Sequence, residues 1–422
     1  MTLLAAIVAL GACAPAPVPP SPTLGPVGIA SVSPEPTPTP APSPLPSMIP
    51  DPGHELFGFV PYWEMDSGIA AHLQATPLST LALFSVSTTA SGAINTKENG
   101  YRRITGDIGK QLVAEAHARR TRVELVYTSF GNEGNRVFFS DPTRMEASIA
   151  SVVELVAELG MDGVNFDVEG LDPDLITVYG AFVARLREAL VDVNPAAQVS
   201  VATTAGPIGA AMARAAIDGG ADRDFLMGYD YHFSTSSPGA VAPVLRSDGS
   251  EKSLTWSLDL YIAAGVPPER TILGLPLYGM VWPVAGPVIG APETGNGSTW
   301  IMERHVDLLT NRSIVPSFDP VEQVDVYFVS SAGYVGPTPS GADDGMIATD
   351  PPSLGASPGA SSVPGVTWSA IYVDTPATLA TKAALANARG LVGVGFWAIG
   401  YERGLPGFTD LMRRFVAGDA LP

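Results

Sequence analysis

The chain has 422 residues, 46% of them hydrophobic, and its 42 acidic residues against 23 basic ones give a formal net charge of −19. This length and composition allow one large domain or two ordinary ones, with a substantial hydrophobic core. The charge argues against nucleic acid or an anionic membrane surface as a partner and favours a neutral or polar substrate, although it would equally serve solubility alone.

Histidine and cysteine are sparse, and their positions argue against two kinds of site. Cys13 is the single cysteine, which excludes an intrachain disulfide. The histidines have neither the spacing of zinc ligands nor an HExxH motif, so we predict no metal site and no cofactor. They are His54, His72, His117, His232 and His305.

The first predicted element is a short apolar run at residues 1–12, MTLLAAIVALGA. It has the length of a signal-peptide core and is too short to span a membrane as a stable helix. Leu10-Gly11-Ala12-Cys13 resembles the lipobox of bacterial lipoproteins, in which the cysteine is lipidated, although no Lys or Arg precedes the run. We therefore predict a signal peptide over residues 1–13, an extracellular or cell-surface protein, and membrane attachment through lipidated Cys13. A cleaved, unlipidated signal is the alternative.

Residues 14–50 contain 14 prolines, one acidic residue and no basic one. A segment of this composition cannot build a core and is typical of a stiff, disordered linker. Behind a lipid anchor, such a linker would hold a catalytic domain, predicted over residues 51–422, away from the cell surface.

From residue 55 onward, strand-like stretches alternate with helical ones. The predicted strands are 56–62, 81–87, 122–129, 163–169, 198–204, 225–231, 271–278 and 391–397. Helical patterns cover about 106–120, 142–160, 173–192, 207–219, 252–265 and 375–389, with start signals at Asp172-Pro173 and Asp374-Thr375-Pro376. Eight strands alternating with helices predict an α/β fold, a (β/α)8 TIM barrel.

Active-site residues of such a barrel lie at the C-terminal ends of the strands. The candidates at or near predicted strand ends are Glu169, Tyr229, Asp230, Tyr278 and Trp397.

The long interval between the seventh and eighth predicted strands indicates an inserted α+β subdomain over residues 283–372. We predict a helix near 299–310 and strands at 324–330 and 367–373. Residues 335–365 are rich in Gly, Pro, Ser and Ala and predict a mobile loop. Its GxSxG pattern at residues 355–359 lacks the strand and helix that a nucleophile elbow needs, so we take it as a chance match.

The predicted strand at 163–169 carries the most informative pattern. Side chains alternate faces along a strand, so its bulky apolar residues share one face. Asn165, Asp167 and Glu169 share the other, and burying two carboxylates is costly unless that face opens into a cleft where they do acid–base work. A solvated edge strand is the alternative, which the flanking glycines and neighbouring helices argue against.

The same stretch, from Asp162, resembles the DGxDxDxE signature that ends the fourth barrel strand of the family 18 glycoside hydrolases, the chitinase-type enzymes. Asp162, Gly163, Asp167 and Glu169 match it, and Asn165 stands where the family most often has Asp. This Asn variant resembles the bacterial branch of spore-cortex and cell-wall enzymes.

Further matches follow in family order over roughly residues 55–415. Residues 58–63 (GFVPYW) resemble the first strand, 227–231 (MGYDY) the sixth, 273–279 (LGLPLYG) the seventh and 395–400 (GFWAIG) the eighth. The predicted insertion stands where many members have a small α+β subdomain that deepens the cleft.

The resemblance implies retaining, substrate-assisted catalysis, in which the substrate's own 2-acetamido oxygen attacks the anomeric carbon. Glu169 would be the general acid and then the base, with a pKa raised by nearby carboxylates. Asp167 would accept the acetamide N–H and Tyr229 would donate to its oxygen. Asp230 would support this network, and Trp397 would stack on the sugar.

Other residues are assigned to binding or support. Tyr62, Trp63, Met227 and Tyr278 are predicted substrate-binding residues, although packing is an equal alternative for Tyr62, Trp63 and Tyr278, and also for Trp282. Asp162 would give support from off the catalytic face, and Asn165 from behind the catalytic pair.

We therefore expect a monomeric hydrolase of β-1,4-linked N-acetylglucosamine glycans, with chitin or chito-oligosaccharide as substrate. A peptidoglycan-directed N-acetylglucosaminidase is the alternative within the same chemistry. From another class, the chain could be a non-catalytic, chitinase-like sugar-binding protein, which the intact Glu169 and Asp167 argue against. Endo and exo cleavage are both open.

Overall fold

The computed structural model describes residues 54–331 and 367–421. The predicted signal peptide with Cys13, the linker over 14–50, the loop over 335–365 and the pattern at 355–359 lie outside these residues and stay predictions. In the described part of the chain, no helix is both long enough and apolar enough to cross a membrane.

Eight parallel strands close into a barrel, which confirms the predicted (β/α)8 fold. They are β1 Glu55–Pro61, β2 Thr80–Val86, β3 Arg122–Phe130, β4 Gly163–Glu169, β5 Gln198–Thr204, β6 Arg223–Met227, β7 Thr271–Pro276 and β13 Gly393–Trp397. The strands neighbour one another in chain order, and β13 closes the barrel between β7 and β1. The C-terminal ends of all eight strands therefore meet at one rim.

A second, five-stranded antiparallel sheet is inserted between β7 and β13, in the order β10-β11-β12-β8-β9. Its strands are β8 Tyr278–Val284, β9 Ser298–Ile301, β10 Ser317–Asp319, β11 Val324–Ser330 and β12 Trp368–Val373. The sheet begins at Tyr278, inside the stretch predicted as the end of the seventh barrel strand. The insertion thus starts five residues earlier than the composition of the sequence indicates.

Helices follow most barrel strands and cover the outside of the barrel. They are α1 Ser67–Leu73, α2 Asn99–Thr105, α3 Asp107–Ala118, α4 Asn132–Phe139, α5 Pro142–Leu159, α6 Ile176–Val193, α7 Pro207–Asp218, α8 Leu254–Ala263, α9 Val306–Thr310, α10 Pro376–Ala388 and α11 Phe408–Ala417. The six predicted helical stretches correspond to α3, α5, α6, α7, α8 and α10. The short helices α1, α2 and α4 and the terminal α11 were not predicted.

Two local predictions are wrong, each because a tertiary contact overrides the local pattern. The helix predicted near 299–310 begins as a strand, since Ser298–Ile301 pairs with β8. The sixth strand ends at Met227 instead of residue 231, because the chain leaves the barrel after Gly228, whose N–H bonds to the Gly274 carbonyl. Asp172 is the N-cap residue and Pro173 begins the first turn, as predicted, but the Asp172 side chain makes no capping hydrogen bond and pairs with Arg136 instead.

The middle of the barrel is filled by a compact aromatic cluster. Phe57 and Phe59 of β1 pack against Phe225 of β6, with ring centroids 5.4 and 4.9 Å from it. Gly274 and Gly395 face the same ring, and a Cβ at either position would lie 2.4 Å from it. These glycines make room for Phe225, so the middle of the barrel is a packed apolar core and not an open channel.

A polar layer lies below this cluster, on the interior face of the strands. Glu124 is almost completely buried and accepts a hydrogen bond from the Ser200 hydroxyl at 2.5 Å. The Asn165 amide donates to the same hydroxyl at 2.7 Å. Burial raises the pKa of Glu124 to about 8, although nearby Arg122 partly offsets the effect.

Glu124 should make the protein less stable at alkaline pH. Its pKa in the folded state, about 8, lies above the ordinary 4.5, so the neutral carboxyl stabilises the fold below pH 4.5 and this stability is lost as pH rises through 8. We expect the free energy of unfolding to fall by roughly 2–4 kcal/mol over this range through Glu124 alone. Urea unfolding at pH 5, 6.5 and 8 measures it, and Glu124→Gln should flatten the slope.

Glu154→Gln, at an exposed glutamate of α5, is the matched control and should keep the wild-type slope. An unchanged slope in Glu124→Gln would show that Glu124 ionises in the folded protein without cost.

Candidate active site

The C-terminal rim of the barrel surrounds a cavity of about 760 Å³. Its lining comes from the ends of most barrel strands and from the loops after them. The lining residues are Phe59, Trp63, Phe84, Phe130, Asp167, Glu169, Ala202, Thr204, Ala205, Gly206, Pro207, Met227, Tyr229, Asp230, Tyr231, Phe233, Lys252, Trp256, Tyr278, Thr299, Trp397 and Tyr401.

Strand β4 presents its two carboxylates to the cavity as its alternation predicts. The apolar side chains of the strand pack outward against the helices and are fully buried; they are Val164, Phe166 and Val168. Asp167 lies deeper, 5% exposed, between Thr128 of β3 and Ala202 of β5. Glu169 ends the strand and is exposed at the cavity wall. The pair therefore has a buried member and an accessible one.

The two carboxylates hold protons more tightly than ordinary acids. Burial, and then the neighbouring Glu169, raise the pKa of Asp167 well above its usual range. Reduced hydration in the cleft, and then Asp230, raise the pKa of Glu169. One oxygen of Asp167, Oδ1, is buried with no hydrogen-bond partner in the described protein. Asp167 thus has an acceptor that a bound molecule could satisfy.

The loop after β6 brings a phenol and a third carboxylate to the same place. Asp230 has a backbone φ of 61°, the left-handed region that non-glycine residues rarely adopt. Its Oδ1 accepts a hydrogen bond from the Tyr278 hydroxyl at 2.5 Å. Burial, and then Asp167, raise the pKa of Tyr229 well above its usual range. Tyr229 therefore stays a neutral hydroxyl that can donate a hydrogen bond.

Aromatic rings form one side of the cavity around Trp397, at the end of β13. Phe84 packs edge-on against the Trp397 ring at 4.8 Å and Phe59 lies tilted at 5.5 Å. Trp63 contacts it at 6.4 Å and is itself held by a hydrogen bond from its Nε1 to the Tyr401 hydroxyl at 3.1 Å. Trp397 is half-buried, so part of its ring faces the cavity.

Most of the predicted site residues come together here, and four do not. Tyr62 packs against Trp63 at 4.8 Å and lies outside the cavity lining. Trp282 is fully buried beside Tyr372 of the inserted sheet. Asn165 lies inside the barrel beneath Asp167.

Asp162 lies at the opposite end of β4, as its parity and position imply. It accepts a hydrogen bond from the backbone N–H of Val123 at 2.7 Å and contacts His117 at 2.9 Å. Asp162 therefore ties β4 to β3 and α3 and lies outside the cavity lining.

Several lining residues were missed by the sequence reasoning, because they lie on loops or at strand ends that carry no motif. Phe130 ends β3 and Phe233 follows β6, and both are exposed despite being large and apolar. Lys252 and Trp256 flank the start of α8. Thr204, Thr299 and Tyr401 were also missed. The one signal that the sequence offered was the presence of aromatic residues at or just after the predicted ends of barrel strands.

A buried glutamate of the insertion organises the long loop between β6 and α8. Glu322, fully buried, accepts hydrogen bonds from the Ala240 N–H at 2.7 Å and from the Ser247 hydroxyl at 2.8 Å. Its carboxylate also lies 3.3 Å from Nε2 of His232, two residues after Asp230. The insertion thus holds the loop that carries Tyr229, Asp230 and Lys252.

Taken together, three carboxyls with raised pKa values lie beside an aromatic wall in a concave cavity. This combination suits proton transfer to and from a ring-shaped, polar substrate. No group of His, Cys, Asp or Glu placed to hold a metal ion is found among residues 54–331 and 367–421.

Comparison with known proteins supports the same chemistry. The family model "Glycosyl hydrolases family 18" matches residues 56–402. The "Nod factor hydrolase protein 1" of Medicago truncatula is 26% identical over 62% of this chain and 64% of its own length. The "Putative sporulation-specific glycosylase YdhD" of Bacillus subtilis (strain 168) is 28% identical over 42% and 43%. The chain thus matches less than two thirds of the length of these two relatives.

The "Class V chitinase CHIT5a" of Medicago truncatula is 25% identical over 70% of this chain and 74% of its own length. Solved structures share the fold at lower identity. The Ostrinia furnacalis Group IV chitinase superposes with a TM-score of 0.68 at 16% identity, covering 86% of this chain and 99% of that one. The Bacillus cereus spore cortex-lytic enzyme SleL has a TM-score of 0.63 at 16% identity, with 86% and 74% covered. At these identities the structural likeness is one of fold.

Proposed function

The chain belongs to family 18 of the glycosyl hydrolases, and on that premise we propose that it cleaves β-1,4-linked N-acetylglucosamine glycans such as chitin or chito-oligosaccharides. We assign the acid–base role to Glu169. The observation that carries this proposal is the unpartnered, buried Oδ1 of Asp167, two residues from Glu169 and in the same cavity as the Trp397 ring. A sugar with a 2-acetamido group brings an N–H donor for that oxygen and an apolar face for the ring.

In the proposed first step, Glu169 transfers its proton to the glycosidic oxygen as the bond from that oxygen to the anomeric carbon breaks. The acetamide oxygen of the same sugar attacks the anomeric carbon and forms a cyclic oxazolinium ion. Asp167 accepts the acetamide N–H, which orients the group and balances its developing positive charge. Tyr229 donates its hydroxyl to the acetamide oxygen and so fixes the angle of attack.

In the second step, Glu169, now a carboxylate, takes a proton from a water molecule that attacks the anomeric carbon. The bond between that carbon and the acetamide oxygen breaks, and the acetamide is restored. Two displacements at one carbon retain its configuration. Glu169 regains its proton, so the cycle closes without any other acid.

The arrangement of carboxylates supports substrate participation over a protein nucleophile. Asp167 and Glu169 share one face of β4, and the remaining carboxylate of the described lining, Asp230, is held by Tyr278. The aromatic wall around Trp397 offers no acid that could attack the sugar.

A thiazoline that mimics the oxazolinium ion should therefore inhibit competitively. It presents the fused ring to Asp167 and Tyr229 in the shape of the intermediate, and analogues of such states bind 10²–10⁸-fold more tightly than substrates. We expect an inhibition constant at least about 100-fold below the KM for chito-oligosaccharide, measured from initial rates. N-acetylglucosamine at the same concentration is the control, and no inhibition at millimolar levels would contradict participation of the acetamide.

The substrate and the class of the protein can be tested in one experiment. The purified protein is incubated with chito-oligosaccharides and with peptidoglycan, and the products are identified by mass. Hydrolysis supports the enzyme, and the product lengths distinguish endo from exo cleavage. Binding without any product would favour a non-catalytic sugar-binding protein.

A further inference from the structure

The cavity lining contains one cation. Within the described residues, Lys252 is the single Lys or Arg among the lining residues, against three carboxylates. The whole chain has 23 Lys and Arg against 42 Asp and Glu, so composition alone accounts for one cation in this lining. The informative feature is therefore the state of the Lys252 ammonium and its surroundings.

The ammonium of Lys252 is not used by the protein. No ion pair joins it to any carboxylate in the described chain, whereas Arg136, Arg185, Arg214 and Arg246 each have a carboxylate partner. Neither Asp167 nor Glu169 has its pKa lowered by a nearby cation. Lys252 is exposed to solvent and belongs to the lining of the same cavity as Asp167 and Glu169.

The backbone that carries Lys252 is nevertheless well held. The adjacent Ser253 is the N-cap residue of α8, and its hydroxyl accepts a hydrogen bond from the N–H of Trp256 at 3.3 Å. The N–H of Leu254 bonds to the Pro243 carbonyl at 2.9 Å, and Glu322 holds the preceding loop at Ala240 and Ser247. The backbone at Lys252 is thus fixed, while its flexible side chain leaves the ammonium free to contact an anion in the cavity.

Rings suited to sugars line the same cavity. Trp256 lies within one helical turn of Lys252, and Phe233, 52% exposed, lies on the same loop. Exposed aromatic rings in a cleft bind the apolar faces of sugars, and a lysine among them adds selectivity for charge. The wall formed by Lys252, Trp256 and Phe233, called here the α8 wall, has both features.

We infer that the α8 wall is a subsite for a sugar that carries a carboxylate, so that the glycan cleaved is an anionic one, such as a strand containing N-acetylmuramic acid. This inference rests on the proposed function, because it names which N-acetylglucosamine glycan the same catalytic site uses. Neutral chitin fits the catalytic centre equally well but leaves Lys252 without a partner.

Matched glycans test the inference. Peptide-free strands of alternating N-acetylglucosamine and N-acetylmuramic acid are compared with the same strands whose carboxyls have been reduced to alcohols. Peptide-bearing strands form a third arm, which separates the lactyl carboxylate from those of the peptide. The wild type should prefer the carboxylated, peptide-free strand over the reduced one by about three- to tenfold in kcat/KM, mainly through KM.

Lys252→Gln should bring that ratio close to one, and Lys252→Arg should preserve it, because the charge and not the shape is recognised. Lys110→Gln, at an exposed lysine of α3, is the control and should keep both the ratio and the activity. An unchanged ratio in Lys252→Gln, or an equal loss on both strands, would overturn the inference. A preference seen only with the peptide-bearing strands would also overturn it.

The preference for the carboxylated strand is also measured in binding, as the ratio of the dissociation constants of the reduced and carboxylated strands in a Glu169→Gln background. If neither strand is hydrolysed but Lys252→Gln still abolishes the preference in binding, the subsite stands and the proposed hydrolysis fails. If chito-oligosaccharides are cleaved and no preference exists in either assay, the subsite fails and the hydrolysis stands.

Discussion

Glu169→Gln should lower kcat for N-acetylglucosamine oligomers by roughly 10²–10⁴-fold, the range that a general acid contributes. Glutamine keeps the size of the side chain but has no proton to give to the glycosidic oxygen. The dissociation constant should change by less than about threefold, because Glu169 acts on the leaving group and not on the bound sugar. Single-turnover rates and titration calorimetry measure the two quantities.

A substrate with an activated leaving group sharpens this test. A 4-nitrophenolate leaves without being protonated, so the first step of its cleavage should be affected much less than that of an ordinary glycosidic bond. Glu133→Gln, at an exposed glutamate near the start of α4, is the control and should behave as the wild type. Unchanged turnover of the oligomers in Glu169→Gln would contradict the assignment of Glu169 as the general acid.

Asp167→Asn should lower kcat by roughly 10²–10³-fold, because an amide can no longer balance the positive charge that develops on the acetamide.

The same variant should be more stable than the wild type. Burial and Glu169 raise the folded-state pKa of Asp167, so its carboxyl stabilises the fold below the unfolded pKa, and this stability is lost as pH rises. The neutral amide has no such loss, and we expect a gain of about 1 kcal/mol at pH 8.

A fall in activity together with a rise in stability in Asp167→Asn would show that the charge of Asp167 serves function and destabilises the fold. Urea unfolding at pH 5 and pH 8 and initial rates at pH 6 give both quantities. Asp192→Asn, at an exposed position of α6, is the control for the loss of one charge. If Asp167→Asn lost activity and stability together, Asp167 would be a structural residue.

The proposed catalytic pair, Asp167 and Glu169, could be predicted from the sequence because the evidence for it is local. A strand alternates with period two whatever surrounds it, so Asp167 and Glu169 had to share a face opposite the bulky apolar side chains. Active-site residues of a barrel lie at the C-terminal ends of its strands. For this reason Tyr229, Asp230, Tyr278 and Trp397 could be proposed from their positions in the sequence.

The sequence could not tell which of Tyr62 and Trp63 lines the cavity. They are adjacent aromatic residues at the end of β1, and no local pattern separates their roles. Trp63 lines the cavity because its indole N–H is held by Tyr401, a residue 338 positions away, while Tyr62 turns toward the core. The distinction depends on a contact between distant parts of the chain.

The sequence by itself determined the barrel, the strand that carries the acids and the family, since each rests on periodicity or on a short motif. The tertiary structure alone decided which residues share the cleft, the buried and unpartnered state of the Asp167 oxygen, and the place of Lys252 among aromatic rings. Burial, hydration and the absence of a counter-ion are properties of the surroundings of an atom. In a closed barrel those surroundings come from eight strands and their loops, which meet only when the chain has folded.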